Sequence, residues 1–143
     1  MEISARVSNR KGRHSVQVRT GDREQSLEVP SKPDGFGSNV NGGELLLLAL
    51  ATCYCNDVYR EAKKRSIEIS EVEVHVGASF GAEGEPARDI HYRAIVTSTA
   101  PQADVRELMH ATDTLAEIHN TLRAGVAVEL REAAVRASVP DES

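Results

Sequence analysis

The chain has 143 residues, 40% of them apolar but only 3% aromatic, and carries a formal charge of −5 from 17 basic and 22 acidic side chains. That length suits one domain over residues 1–143 with a mainly aliphatic core, and the mild acidity argues against nonspecific partnership with nucleic acid or an anionic membrane. The longest apolar run, Leu45 to Ala51, falls far short of the about 20 residues of a spanning helix, and Met1-Glu2-Ile3 does not open a signal peptide, so a soluble, cytoplasmic protein is expected.

Taken in chain order, residues 3–8 and 13–19 are predicted strands, parted by the turn Asn9-Arg10-Lys11-Gly12. In the second strand His14, Val16 and Val18 share one face, and β-branched content supports the reading. A turn at Gly21-Asp22 leads to a further strand over Ser26–Val29, which makes a hairpin. Pro30, Pro33, Gly35, Gly37, Gly42 and Gly43 mark residues 30–43 as a loop. A helix then begins at Gly43 or Glu44 and runs to about Arg65, with Glu44 suited to the positive end of its dipole. Its first half is apolar all round and its second half, Asn56–Arg65, is charged, so the first half is expected to be central and buried on all sides.

Strict alternation of Val72, Val74 and Val76 with Glu71, Glu73 and His75 predicts a half-buried strand, which pairs across the loop Gly81–Ala87 with a strand over His91–Thr97. Pro101 opens a second helix, with apolar positions Val105, Leu108, Met109, Leu115, Ala116, Ile118 and Leu122 and a stop at Gly125. Val126–Leu130 is a candidate last strand, Ala134–Val139 is ambiguous, and Pro140-Asp141-Glu142-Ser143 is expected to fray. Hairpin-type connections make the class α+β with antiparallel pairing.

The most informative stretch is Gly42-Gly43-Glu44-Leu45-Leu46-Leu47-Leu48-Ala49-Leu50-Ala51-Thr52-Cys53-Tyr54-Cys55. Two positions apart on a helix, Cys53 and Cys55 point roughly 200° apart and cannot form a normal disulfide. With no further cysteine they make no structural zinc site, and five scattered histidines add none, so no metal and no cofactor are expected. Either both cysteines are small buried hydrophobes, or one is a reactive thiolate, which requires solvent access and a nearby cation or helix N-terminus.

The segment resembles the first long helix of the OsmC-like family of osmotically inducible and organic-hydroperoxide-resistance proteins, in which a Glu-Leu-Leu-rich run leads to a reactive cysteine. The Gly-rich loop before it and Leu122-Arg123-Ala124-Gly125-Val126 match as well, and the likeness spans about Ser8 to Leu130. The resemblance implies an intertwined homodimer in which antiparallel sheets wrap two central helices, with active sites at the subunit interface. It implies a thiol-dependent hydroperoxide reductase whose substrate is an organic hydroperoxide, or another small apolar molecule, and whose reductant is an external thiol. By the same resemblance Cys53 is the nucleophile and Arg10 the activating arginine, with Arg13 the alternative. Glu44 stands one residue after the family's catalytic acid and reads equally as a helix cap.

Ala116 and His119 fall where the family carries a resolving cysteine and a serine, so a disulfide-closing step is missing. Leu108, Thr112, Leu115, Ala116, His119 and Leu122 are expected on one helix face. His119 reads either as a hydrogen-bonded core histidine or as a base for Cys53. Two rival functions therefore stand beside a peroxidase: a non-enzymatic small-molecule binder with an apolar interface pocket near Ala116, and a Cys53–His119 thiol enzyme of another kind, such as a hydrolase.

Overall fold

Local alternation at the N-terminus builds a three-stranded antiparallel meander: β1 (Ile3–Arg10), β2 (Arg13–Thr20) and β3 (Arg23–Leu27). The computed structural model describes residues 1–138. Lys11-Gly12 closes the first hairpin, with Arg10 opposite Arg13, and Gly12 takes the positive φ of 74° that the turn requires. The third strand starts at Arg23 rather than Ser26, because Thr20 pairs with Arg23 directly across the two-residue turn. No residue of this sheet is fully buried. It does not pack extensively on the helices of its own chain; the Gly12 amide reaches the Gly35 carbonyl (2.7 Å) and the Gly37 amide reaches the Asn9 side chain (3.0 Å) in the following loop.

Helix α1 (Gly42–Lys64) starts one residue before the expected point. Asn41 caps it, accepting from the Glu44 amide (2.8 Å) while the Glu44 carboxylate accepts from the Asn41 amide (3.1 Å). At its far end Ser66 adopts a left-handed φ of 54°, which lets the Ile67 amide reach back to the Ala62 carbonyl at 2.9 Å. Strands β4 (Ile69–Ser79) and β5 (Arg88–Ser98) form an antiparallel pair with Val72 opposite Val96 and Val74 opposite Ala94.

The valine face of that pair meets Tyr54, Val58 and Ala62 of α1 and Leu108 of α2 (Gln102–Leu115), and this is the core. The expected all-round burial of the first half of α1 does not form: Leu50 and Tyr54 are buried there, but not the leucines before them. Val58, in the charged second half, is 0% exposed, whereas Leu45 and Leu48 in the apolar first half are 43% and 58% exposed. A helix packs by the stripe that meets a neighbour, and here that stripe runs through Leu50, Tyr54, Val58 and Ala62, across both halves. Asp57 and Glu61 are buried there because Arg60 and Lys64 pair with them. Leu108→Ala is expected to lower stability by about 3 kcal/mol and the melting temperature by roughly 10 °C, since a side chain enclosed on all sides leaves a cavity; a thermal melt checks it.

The expected single helix from Pro101 to Leu122 is two helices. It breaks at Ala116, which is extended (φ −68°, ψ 109°), and resumes as α3 (Glu117–Ala124) before Gly125 in the left-handed region. The hydroxyls of Thr112 and Thr114 bond back to the Leu108 and Ala111 carbonyls (both 2.7 Å), a competition that bends helices. Carbonyls freed at the break find side chains: Asn120 donates to Thr114 (3.0 Å) and Arg123 to Asp113 (3.1 Å). One common face over both helices does not form: Leu108, Thr112, Ala116 and His119 are buried, but Leu115 and Leu122 are partly exposed.

Val126–Leu130 is not a strand; it pairs with nothing among the described residues and is largely exposed. Residues 131–138 carry no regular structure, and Val139 with the Pro140–Ser143 tail lies outside the described residues. The architecture is α+β with antiparallel sheets, as expected. Among the described residues no helix is long and apolar enough to cross a membrane.

Candidate functional site

Cys53 sits midway along α1, half-buried, where the break at Ala116 swings the start of α3 against it. One turn on, Asp57 lies on the same helix face, and the thiol donates to its Oδ2 at 3.6 Å. Glu117, the first residue of α3, brings Oε2 to 4.0 Å from the sulfur. Arg60 gathers the carboxylates, with contacts of 3.1 Å to Asp57, 2.9 Å to Glu61 and 3.5 Å to Glu117.

Burial pushes the Cys53 thiol above its ordinary pKa, and the negative charges of Asp57 and Glu117 push the same way against a hydrogen bond from the Ile118 backbone. Asp57 is itself raised by burial despite Arg60. Within one chain, therefore, position 53 holds a thiol rather than a thiolate. Cys53, Asp57 and Glu117 offer three ligand atoms within 4.8 Å of one another and are the residues that could hold a metal. Arg60 already balances both carboxylates, so the group is an ion-paired cluster as it stands.

The other expected site residues lie apart from this thiol. Arg10 and Arg13 face each other at the tip of the first hairpin and, with Arg6, Ser8, Ser15 and Gln17, line a shallow polar cup of about 200 Å³. None of these three arginines is ion-paired among the described residues. Glu44 is engaged in the capping box. It stands nine residues before Cys53 on one helix, a rise of about 13 Å, so it does not meet the thiol of its own chain. Cys55 is a free thiol, as is Cys53.

His119 is 5% exposed and packs edge-on to Tyr92, with ring centroids 4.8 Å apart, and near Tyr54 at 6.2 Å. Neither ring nitrogen has a hydrogen-bond partner, so His119 is neither the satisfied core histidine nor a base bonded to Cys53. Sequence reasoning missed Asp57, Arg60 and Glu117. The first two carried a readable signal, because positions 53, 57 and 60 fall on one helical face; Glu117 carried none, because it depends on the break at Ala116.

Burial, then the nearby Arg123 charge, lowers the His119 pKa, while Asp113 opposes them. The fold therefore favours neutral imidazole, and the unfolded chain binds its proton first. The stability this contributes is complete above the unfolded value of about 6.5 and is lost as pH falls toward the depressed folded value. Melting temperature is expected to fall more steeply as pH drops below about 6.5 in the wild type than in His119→Phe; melts at a series of acid pH values check it.

Residues 35–131 match the sequence model of the OsmC-like proteins. The fold is similar to the crystal structure of an OsmC-like protein from Mycoplasma pneumoniae, at 21% identity and a TM-score of 0.58, covering 85% of this chain and 86% of that one. It is also similar to the organic hydroperoxide resistance protein OhrB of Bacillus subtilis (20% identity, TM-score 0.51, covering 84% and 90%). A third likeness is to an organic hydroperoxide resistance protein from Elizabethkingia anophelis (17% identity, TM-score 0.56, covering 86% and 89%). At these identities the likeness is one of fold. No curated protein matches the chain.

Proposed function

Given that this chain belongs to the OsmC-like protein family, we propose that it is a thiol-dependent hydroperoxide reductase with Cys53 as its nucleophile, acting as an intertwined homodimer. The observation that carries the reading is the position of Cys53 in a chain of this family: a half-buried thiol in mid-helix, on a helix whose Leu45 and Leu48 the single chain leaves exposed. Those two leucines need a cover, and the N-terminal meander has no extensive packing on its own helices. In the proposed dimer each fills the other's need.

Charge supports the same pairing. The meander presents Arg6, Arg10 and Arg13 on one cup, and the ground around Cys53 carries Asp57, Glu61 and Glu117. Arg10 of the partner subunit, or Arg13 beside it, then stands near Cys53, lowers the thiol pKa and holds a peroxide oxygen. Glu44 of the partner subunit is the candidate acid, since the own-chain copy stands about 13 Å along the helix from the thiol. His119 has no assigned role in this step.

The Cys53 thiolate attacks the terminal peroxide oxygen; a sulfur–oxygen bond forms, the O–O bond breaks, and the alkoxide leaves and takes a proton to become the alcohol. Cysteine is oxidised to sulfenic acid. No thiol stands at Ala116 to resolve it, and Cys55 points away on the same helix. Two external thiols complete the cycle: the first displaces water to give a mixed disulfide, and the second releases reduced Cys53 with the donor disulfide. A cytoplasmic location, where thiols are kept reduced, belongs to the same proposal.

The test is turnover of cumene or tert-butyl hydroperoxide with dithiothreitol or a dihydrolipoyl donor, in the wild type against Cys53→Ser. A second reading, a non-enzymatic binder of small molecules, draws on the raised Cys53 pKa and the missing resolving thiol. Ligand binding without any turnover favours it over the first.

A further inference from the structure

Side chains at alternate positions of a strand share a face, so Arg6, Ser8 and Arg10 of β1 point the same way and stand opposite Gln17, Ser15 and Arg13 of β2. These side chains line the polar cup of about 200 Å³ at the first hairpin. Val7 and Val16, paired on the rung between, point to the other face, so packing within the chain makes no demand on this one. The chain as a whole is acidic, at −5, yet the cup collects three guanidiniums. None of them is ion-paired among the described residues. Arg10 stands directly opposite Arg13, a placement of like charges that destabilises an antiparallel pair. A face that sets positive charge against positive charge, with hydroxyl and amide donors beside it, is arranged for an anion.

We propose that the cup binds an oxyanion of the phosphate class, either inorganic phosphate or the phosphoryl end of a small molecule. A tetrahedral dianion offers acceptor oxygens in several directions, which suits guanidinium forks on two strands, whereas a carboxylate offers its oxygens in one plane. The cup has the volume of roughly seven water molecules. That is room for one phosphoryl group with part of its hydration, any larger body being left in solvent. Bound there, the anion turns the Arg10–Arg13 repulsion into a bridge, and binding to the folded chain alone raises its stability. The site uses neither the Cys53 sulfur nor its carboxylates, so it holds whether or not Cys53 reduces peroxides. Where the peroxidase reading holds, an anion in the cup keeps Arg10 and Arg13 from Cys53 of the partner subunit.

Inorganic phosphate is the probe, titrated into the full-length protein at constant ionic strength balanced with sodium chloride, while the melting temperature and the phosphorus NMR linewidth are followed. The melting temperature is expected to rise saturably, and equally in Cys53→Ser. Arg6→Gln is expected to weaken phosphate binding by about tenfold, the worth of one charged hydrogen bond. Ser15→Glu places a carboxylate on the rung beside Arg10 and Arg13. It is expected to raise the melting temperature without phosphate and to abolish the response to phosphate, so the test does not depend on a destabilised variant. Arg93→Gln removes an exposed arginine from β5, changes the net charge as much as Arg6→Gln does, and is expected to bind phosphate like the wild type. Glycerol 3-phosphate separates the two sources: equal or weaker affinity assigns the free ion, and tighter binding assigns a phosphorylated molecule. The proposal is overturned by a wild-type response no greater than that to chloride, or by acetate binding as tightly as phosphate. Undiminished binding to Ser15→Glu, or equal weakening by Arg93→Gln and Arg6→Gln, overturns it as well.

Discussion

Replacing Cys53 by serine is expected to bring thiol-driven reduction of cumene hydroperoxide down to the protein-free background. Serine keeps the size and the hydrogen bond toward Asp57 (3.6 Å from the sulfur) and removes only the nucleophile. A loss of stability does not account for such a result, because the side chain is half-buried and the change nearly isosteric. Mass spectrometry after a stoichiometric peroxide pulse identifies the product: sulfenic acid or a mixed disulfide on Cys53, with Cys55 unchanged. Equal turnover by wild type and variant would remove the catalytic reading, leaving the binder. The pH profile adds a sign. Burial, Asp57 and Glu117 hold the lone-chain thiol high, so a Cys53 that reacts at neutral pH requires a cation from outside its own chain, and Arg10→Ala is the variant that moves the profile upward.

Replacing Leu48 by glutamate is expected to halve the mass in solution and abolish turnover together. Leu48 is 58% exposed in the single chain, so a charge there costs the isolated subunit within about 0.5 kcal/mol. Buried between two subunits, an unpaired carboxylate costs on the order of 3–5 kcal/mol, which weakens the dimer about a hundredfold or more. Sedimentation and the peroxide assay on one sample read both effects. An unchanged mass and full activity would mean that this apolar surface is not an interface and that the hairpin arginines reach Cys53 by another route or not at all.

The sequence by itself determined what depends on neighbours along the chain. The alternation of Val72, Val74 and Val76 yields β4, because successive side chains on a strand point to opposite faces. Gly12 and Gly21 yield the two tight turns by accepting positive φ, and the resemblance around Cys53 led to the family. Asn41 and Glu44 spell a capping box, of which sequence reading took Glu44 as a first-turn charge or cap and passed over Asn41. Tertiary structure alone decided the rest. Which stripe of α1 is buried depends on where β4 and β5 lie, not on which half is more apolar. The break at Ala116 depends on threonine hydroxyls and on Asn120 and Arg123 reaching back to freed carbonyls. That break sets Glu117 against Cys53, while His119, two residues on within α3, points roughly 200° away, toward Tyr92 and Tyr54. The physical reason is one of range: backbone geometry and turn chemistry act over a few residues, whereas desolvation and charge at a site sum over groups that only the folded chain brings together.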